Sequence, residues 1–150
     1  MYRLILVPLD GSALAERALH HAADLAQATG ARLRLLRTSL VRDRPPAGTT
    51  EADLCGDEQA YLDERATWAR GRGLAVETIL CFADAADAIV DDAREHGADL
   101  IVMTTHGRGW LGRLVIGSVA TAVLDAATVP VLLIPQRATD HVPPRQGAGA

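Results

Sequence analysis

The apolar positions of the chain fall into five short runs, separated by longer stretches in which apolar and polar residues recur with a helical period. Such compact apolar runs are typical of strands that are buried on both faces of a parallel sheet. They predict strands at Leu4–Leu9, Leu33–Thr38, Ala75–Cys81, Leu100–Met103 and Val129–Ile134. The stretches between them predict helices at residues 13–29, 51–72, 85–96 and 117–127.

Capping residues set the ends of two of these helices. Ser12 stands before the first helix, Glu16 lies near the capping-box position, and Gly30 follows the last turn. Asp84 and Gly97 bracket the third helix in the same way. Strands and helices thus alternate along the chain. This alternation predicts an α/β fold, with a single doubly wound five-stranded parallel sheet and helices on both faces.

Composition excludes several classes of protein. The chain has 150 residues, enough for one domain with one core, and 49% of them are hydrophobic but only 3% aromatic. The formal charge of −4, with acids and bases interleaved, provides no basic surface for nucleic acid or for an anionic membrane. No apolar run approaches the ~20 residues that span a bilayer. We expect no secretory leader and a cytoplasmic protein, in which Cys55 and Cys81 stay reduced.

The strongest functional signal lies between the fourth strand and the last helix. Thr104–Ile116 is irregular and rich in glycine, and Ser118 is expected to cap the helix that begins at Gly117. A strand that leads through such a loop into a helix N-terminus is a common phosphate site, because the first-turn N–H groups are unpaired and the helix dipole favours an anion. The apolar face of this helix is predicted to consist of Val119, Val123, Ala126 and Ala127.

Spacing separates the nucleotide motifs that compete for this loop. Residues 107–112 satisfy G-x-G-x-x-G, but the acid expected at the tip of the next strand is missing, because Asp125 lies within the helix. Residues 107–114 also approach a P-loop, yet Arg113 and Leu114 stand where Lys and Ser or Thr are required. A flexible loop whose glycines only permit turns is a further alternative.

Another pattern in the same loop is that of a known family. Gly107, nine intervening residues and then Gly117-Ser118 match most of the signature G-x2-G-x9-G-[ST], and here the chain resembles the universal stress proteins. The likeness extends to I-L-V-P-L-D-G-S at residues 5–12, A-D-L-I-V-M at 98–103 and V-P-V-L-L-I-P at 129–135. Thr104 replaces the opening Gly of the signature, so a side chain stands where the family's ATP-binding members have none.

The resemblance implies a universal-stress-type nucleotide-binding domain at residues 1–136, and the composition of residues 137–150 predicts a disordered tail. The family's strand order, 3-2-1-4-5, brings the first and fourth strands to the point where the winding reverses, which is where open α/β sheets bind ligands. The fifth strand then lies at an edge. Because residues 129–134 carry no charge, we expect a homodimer in which this strand pairs with its copy.

The implied ligand is an adenine nucleotide, ATP with or without Mg²⁺, bound in the crevice between these strand tips. Asp10 is expected to contact ribose or adenine, with an Asx-turn into the first helix as the alternative, and Thr38 matches a position that contacts the base. Gly107 is expected to admit phosphate, while Gly117 and Ser118 donate to it. The complete set of implied nucleotide-binding residues is Leu9, Asp10, Thr38, Met103, Thr104, Gly107, Arg108, Gly117, Ser118 and Val119.

Within this set Arg108 is expected to neutralise phosphate charge. We interpret the neighbouring His106 as orienting the loop, because no nucleophile or second acid is tied to it, and we assign no catalytic or metal-binding residue. These features favour a nucleotide-binding stress-response regulator whose state depends on occupancy. Two alternatives stay open: a slow ATPase in which Asp10 holds Mg²⁺ through water, and a dimeric interaction module that has lost nucleotide binding, as Thr104 suggests.

Overall fold

A computed structural model describes residues 1–39, 51–106 and 116–136, with the backbone alone at 51–54. Nine elements alternate along it, and each strand and helix that the sequence predicts is found within a few residues of its expected place. Their bounds are β1 Leu4–Pro8, α1 Ala13–Thr29, β2 Arg32–Thr38, α2 Glu51–Gly71, β3 Val76–Cys81, α3 Ala85–His96, β4 Leu100–Thr104, α4 Ser118–Ala126 and β5 Val131–Ile134.

The described strands form one parallel sheet in the order β3-β2-β1-β4-β5, which confirms the expected topology. β1 lies in the centre, where Ile5 pairs with Leu33 of β2 on one side and with Leu100 of β4 on the other. β5 begins later than predicted because Pro130 has no N–H to donate, although its carbonyl still accepts from the Ile101 N–H at 3.0 Å. None of the helices in the described segments is long and apolar enough to cross a membrane.

Helices cover both faces of the sheet, and strand alternation divides the core into two clusters. Ile5 and Val7 of β1 face α1 and α2, whereas Leu4 and Leu6 face α3 and α4. The α1 side of the first cluster consists largely of alanines, at positions 15, 18, 22, 23 and 26, which let the helix lie close to the sheet. The prediction of an aliphatic core with few aromatic residues therefore describes the packing well.

Local capping signals behave largely as predicted. Ser12 Oγ accepts from the Ala15 N–H at 3.1 Å and Asp84 Oδ1 accepts from the Ala86 N–H at 3.0 Å, so both caps are confirmed. Gly30 and Gly97 end α1 and α3 with φ of 75° and 67°, the left-handed conformation that favours glycine.

The capping box at Glu16 is a wrong prediction. The Glu16 carboxylate does not return to the Ser12 N–H, because α2 supplies stronger partners: Arg65 Nη1 lies 3.1 Å from one oxygen and the Tyr61 hydroxyl 3.4 Å from the other. The Ser12 N–H donates instead to Asp10 Oδ1, at 2.9 Å.

β2 carries a buried ion pair that the sequence analysis does not single out. Arg34 on β2 donates from Nε and Nη2 to the two carboxylate oxygens of Asp92 on α3, at 2.7 and 2.8 Å, and from Nη1 to Glu77 at 3.0 Å. The bidentate bond to Asp92 raises the pKa of Arg34 further above its ordinary value. Arg34 and Asp92 are both buried, so this pair joins α3 to the sheet within the second apolar cluster.

At the amino ends of β1 and β4 a single carboxylate joins the two strands. Asp99 Oδ2 accepts from the backbone N–H groups of Arg3 and Leu4, at 2.7 and 2.9 Å. These backbone hydrogen bonds lower the pKa of Asp99 below its ordinary value. The carboxylate therefore stabilises the fold at a pH above the unfolded pKa of about 4, and this contribution is lost as the pH falls through the lower folded pKa.

We expect Asp99→Asn to lower the free energy of unfolding by about 1 kcal/mol at pH 7, because the charge that strengthens the two hydrogen bonds is removed. The difference between variant and wild type should shrink as the pH falls below about 4, where the carboxylate of the unfolded chain becomes protonated, and it should disappear below the lower folded pKa of Asp99. Urea unfolding of both proteins at pH 7 and pH 3.5 measures this. An unchanged difference at the two pH values would contradict the role assigned to the charge.

Candidate functional site

A cavity of about 420 Å³ opens at the carboxyl ends of β1, β2 and β4, where the winding of the sheet reverses. Six segments supply its walls: the exits of the three strands and the N-terminal parts of α1, α3 and α4. The lining residues are Pro8, Leu9, Asp10, Ala15, Leu36, Thr38, Ala85, Ile89, Met103, Thr104, Thr105, His106, Gly117, Ser118, Val119 and Ala120. The cavity thus lies where motif and topology predict it.

The first wall is the turn between β1 and α1. Asp10 lies on the cavity and its Oδ1 accepts from the Ser12 N–H, so the Asx-turn considered as the alternative role of Asp10 is present. Gly11 follows with φ of 81°, a conformation that suits glycine. No residue of the described segments donates to Asp10 Oδ2, so the turn leaves this carboxylate oxygen available to a ligand.

The opposite wall is the start of α4. Its N-cap is Gly117, which has no side chain, so the prediction that Ser118 caps the helix is wrong: Ser118 is the first helical residue. The first intrahelical bond runs from the Thr121 N–H to the Gly117 carbonyl, at 2.9 Å. The N–H groups of Ser118, Val119 and Ala120 therefore have no acceptor within the described chain. α1 and α3 have side-chain caps, whereas α4 presents open donors to the cavity.

The buried face of α4 also differs from its prediction. Ala120 and Val123 are buried, as expected for Val123, but Ala126 is exposed and Val119 is 38% exposed at the cavity. The helix begins one residue later than expected, and the side chain next to the open N-terminus faces the cavity instead of the core. Val119 is thus part of the lining of the candidate site.

The exit of β4 is held by side chains of its own. Thr104 is buried and its hydroxyl donates to the His106 carbonyl at 2.8 Å, while Thr105 Oγ1 lies 2.7 Å from His106 Nδ1. The Thr105 carbonyl accepts from the Gly117 N–H at 2.7 Å, which joins the strand exit directly to the start of α4. His106 therefore takes part in the hydrogen bonding of the loop base, consistent with the orienting role expected of it.

Asp10 supplies a carboxylate and His106 an imidazole to the described part of the cavity lining. Among the described residues, no three His, Cys, Asp or Glu side chains are grouped so as to hold a metal ion. The rest of the described lining is apolar or carries backbone donors and the hydroxyl groups of threonine and serine. This chemistry suits an organic ligand with one anionic end.

Comparison with known proteins agrees with this architecture. The model of the universal stress protein family matches residues 1–135. The chain belongs to this family. A universal stress protein of Methanocaldococcus jannaschii is 32% identical over 140 residues, which cover 89% of this chain and 82% of the relative.

Two universal stress proteins of known structure share the fold and were solved with nucleotides. The Archaeoglobus fulgidus protein in complex with dAMP is 29% identical, with a TM-score of 0.67, and the alignment covers 89% of this chain and 98% of that one. A universal stress protein in complex with cAMP is 25% identical, with a TM-score of 0.71, over 89% of this chain and 97% of the other.

The structure brings most of the implied nucleotide-binding residues of the universal stress signature to one cavity. Those on its lining are Leu9, Asp10, Thr38, Met103, Thr104, Gly117, Ser118 and Val119. Gly107 and Arg108 lie outside the described residues, as do the rest of the loop from 109 to 115 and the tail at 137–150.

Sequence reasoning missed the apolar end of the cavity. Leu36 on β2 and Ala85 and Ile89 on α3 line it, but nothing in their types distinguishes them from ordinary core residues. The available signal was positional, since Ala85 follows the Asp84 cap and therefore begins a helix at the same edge of the sheet as the strand exits.

Thr104, where the signature has Gly, gives the first prediction for this site. Strand alternation puts its side chain on the face of Leu100 and Val102, toward α1, and its hydroxyl is already bonded to the His106 carbonyl. We therefore expect Thr104→Gly to change nucleotide affinity by less than about threefold, or ~0.6 kcal/mol. Titration calorimetry of both proteins measures the difference. A hundredfold gain would instead identify Thr104 as a block to binding.

Proposed function

We propose that this universal stress protein binds an adenine nucleotide, ATP with or without Mg²⁺, and acts as a stress-response regulator whose state depends on occupancy. The observation that carries the proposal is the open N-terminus of α4, whose unpaired donors face a cavity of about 420 Å³ at the switch point of the sheet. The dAMP and cAMP complexes of family members support the ligand class, because both ligands are adenine nucleotides.

In this proposal the phosphate end of the ligand lies at α4. The N–H groups of Ser118 and Val119 and the Ser118 hydroxyl donate to phosphate oxygens, and the helix dipole adds to the attraction. Gly117 keeps the approach open because it has no side chain. Gly107 and Arg108 belong to the same assignment through the family signature, and Arg108 supplies positive charge to the phosphates.

The remainder of the ligand extends across the strand tips toward α3. The free oxygen of Asp10 accepts from a ribose hydroxyl, while Leu9, Met103 and Thr104 form the floor between the two walls. The base lies at the apolar end, beside Thr38. A ligand in this position contacts β1, β2, β4 and α4 at once. A bound ligand therefore restrains the positions of these four elements relative to one another. This restraint is the physical basis for a regulator that responds to nucleotide concentration.

Thermal unfolding with and without Mg-ATP, ATP alone and AMP tests the proposal. A ligand at 100 times its Kd raises the melting temperature by roughly 5–10 °C in a domain of this size. A shift without phosphate release supports the regulator, and a shift with release indicates a slow ATPase. The absence of a shift for every nucleotide would contradict the proposal and favour an interaction module that has lost nucleotide binding.

We also propose a homodimer formed through β5. This strand lies at the edge of the sheet, and Leu132 on its outward face is 37% exposed, whereas Leu133 packs against the second core cluster. An uncharged apolar edge offers N–H and C=O groups to a second copy of the strand, antiparallel about a two-fold axis.

Leu132→Lys is expected to convert a dimer into a monomer at micromolar concentration, because two lysines would meet at the symmetric edge. Leu133→Lys tests the other face of the strand, and Phe82→Lys is the matched control, since Phe82 is exposed but follows β3 at the far edge of the sheet. Sedimentation velocity gives the oligomeric state. A monomeric wild type, or dimers in both β5 variants, would overturn this assignment.

A further inference from the structure

β2 carries two buried arginines that face opposite sides of the sheet. Arg34 lies on the α3 side and Arg37 on the α2 side, as strand alternation requires for residues three apart. Both are only 8% exposed. Arg34 has three carboxylate oxygens within 3.0 Å, whereas the one ion pair of Arg37 with the described residues joins its Nη2 to Glu58 Oε1 at 3.7 Å. This distance is too long for a hydrogen bond, so the charge of Arg37 is much less well compensated.

Several polar atoms around Arg37 have no hydrogen-bond partner in the described part of the chain. They are Nε and Nη1 of Arg37, Nε of Arg65 and Oε2 of Glu58, and each is shielded from solvent. The two guanidinium carbons lie 5.0 and 5.6 Å from the centre of the same ring, that of Tyr61. Burial raises the pKa of Tyr61 to about 12, as expected for a ring largely removed from water. Buried polar atoms without partners are rare in native proteins, so four in one cluster indicate a bound ligand.

The chemistry of these atoms restricts what the ligand can be. A guanidinium group only donates hydrogen bonds, and an ionised carboxylate only accepts them. A small anion would be attracted by the two arginines but repelled by Glu58, and a metal cation would be attracted by Glu58 but repelled by the arginines. A water molecule both donates and accepts, so it can bond to both sides at once. Its small size also suits a cluster that is closed to solvent.

We propose that Arg37 and Glu58 hold an internal water molecule, which accepts a hydrogen bond from the Arg37 guanidinium and donates one to Glu58 Oε2. Internal waters make about three hydrogen bonds, and Arg65 Nε is the further donor that the cluster offers. The water joins the end of β2 to α2 across the 3.7 Å separation of Arg37 and Glu58. Thr38, the next residue of β2, lines the cavity, so the water stabilises a strand end that supports the candidate site.

A crystal structure of the wild-type protein, grown in sodium bromide and measured at the bromine absorption edge, tests the proposal. We expect a peak of electron density within hydrogen-bond distance of the Arg37 guanidinium and of Glu58 Oε2, without an anomalous signal. An anomalous bromide signal at that position would overturn the proposal and identify an anion site instead. The lack of any density peak between the two side chains would also overturn it.

Stability measurements test the same pair in solution. Glu58→Met and Arg37→Met each leave one buried charge without its partner, so both variants should melt below wild type. The double variant removes both charges and should melt above Glu58→Met, because methionine adapts to the space that the two side chains fill.

Glu64→Met is the matched control for these variants. Glu64 also pairs with an arginine on α2, but its side chain is 70% exposed, so this variant should melt within about 2 °C of wild type. Thermal unfolding followed by circular dichroism gives the four melting temperatures. A double variant that loses as much as the two single variants together would show that Arg37 and Glu58 act independently, which would overturn the bridge between them.

Discussion

Gly117→Val is expected to weaken adenine nucleotide binding at least tenfold. The substituted position is the N-cap of α4, at the wall where the N–H groups of Ser118, Val119 and Ala120 lack acceptors. A valine side chain there occupies the approach to these donors, and the loss of one or two charge-assisted hydrogen bonds, each worth ~1.5–3 kcal/mol, accounts for the effect. The backbone at Gly117 has φ of −63° and ψ of 160°, which any residue adopts, so the change blocks space without straining the chain.

A matched control for this variant is Gly71→Val. Gly71 ends α2, away from the cavity, and nothing lies within 4 Å of the Cβ that a side chain would add. This control should bind nucleotide like wild type, and Gly117→Ala should fall between wild type and Gly117→Val. Calorimetry on the three variants and wild type gives the affinities. Equal affinity in wild type and Gly117→Val would remove the phosphate assignment at α4.

Asp92→Ala is expected to lower the free energy of unfolding by about 3 kcal/mol or more, the usual cost of removing one partner from a buried ion pair. Arg34 would keep its bond to Glu77 but lose the bidentate bond to Asp92, which would leave its guanidinium, buried in the wild type, without its main partner. For a domain of this length the melting temperature should fall by roughly 6–12 °C.

The neighbouring Asp91→Ala is the matched control. Asp91 is also on α3 and also pairs with an arginine, Arg94, at 2.6 Å, but both side chains of that pair are more than half exposed. Its removal should change stability by less than about 0.5 kcal/mol, because exposed pairs are solvated and screened. Thermal and urea unfolding of both variants decide the matter. Similar losses of unfolding free energy in Asp91→Ala and Asp92→Ala would show that burial does not make the Arg34–Asp92 pair more important for stability than an exposed pair.

The sequence predicts those features whose causes are local. Ser12, Asp84, Gly30 and Gly97 act on the backbone within a few residues of themselves, and all four perform the capping roles expected of them. The strand positions follow from apolar runs in the same way. The strand order came from the family resemblance, and the parallel topology of the sheet agrees with it.

What the sequence does not predict depends on partners far along the chain. Glu16 lies one residue beyond the capping-box position, and Arg65 and Tyr61 of α2 engage its carboxylate. Arg34 lies in an apolar run that is typical of a strand buried on both faces, and only Asp92, far along on α3, makes its burial possible. No periodicity reports such pairings, because they are fixed by how helices pack on the sheet.

The residues of the candidate site also fall into two groups, those that the sequence marks and those that it does not. Asp10, Gly117 and Ser118 stand out because a turn, a glycine or a helix start marks them in the sequence. Leu36 and Ile89 do not stand out, because a residue that lines an apolar subsite is of the same type as one that fills the core. Their contribution can be recognised only from the way α3 packs against β2 in the structure.

The central position of β1 has a consequence for the growing chain on the ribosome. Leu4–Pro8 can pair early with β2, which follows it closely along the chain, yet its other neighbour begins at Leu100. At typical rates of translation roughly 5–20 s separate the two partners. Throughout that interval one edge of the middle strand is without its partner. The described lining of the crevice runs from Pro8 to Ala120, so the crevice cannot form until residue 120 has been made.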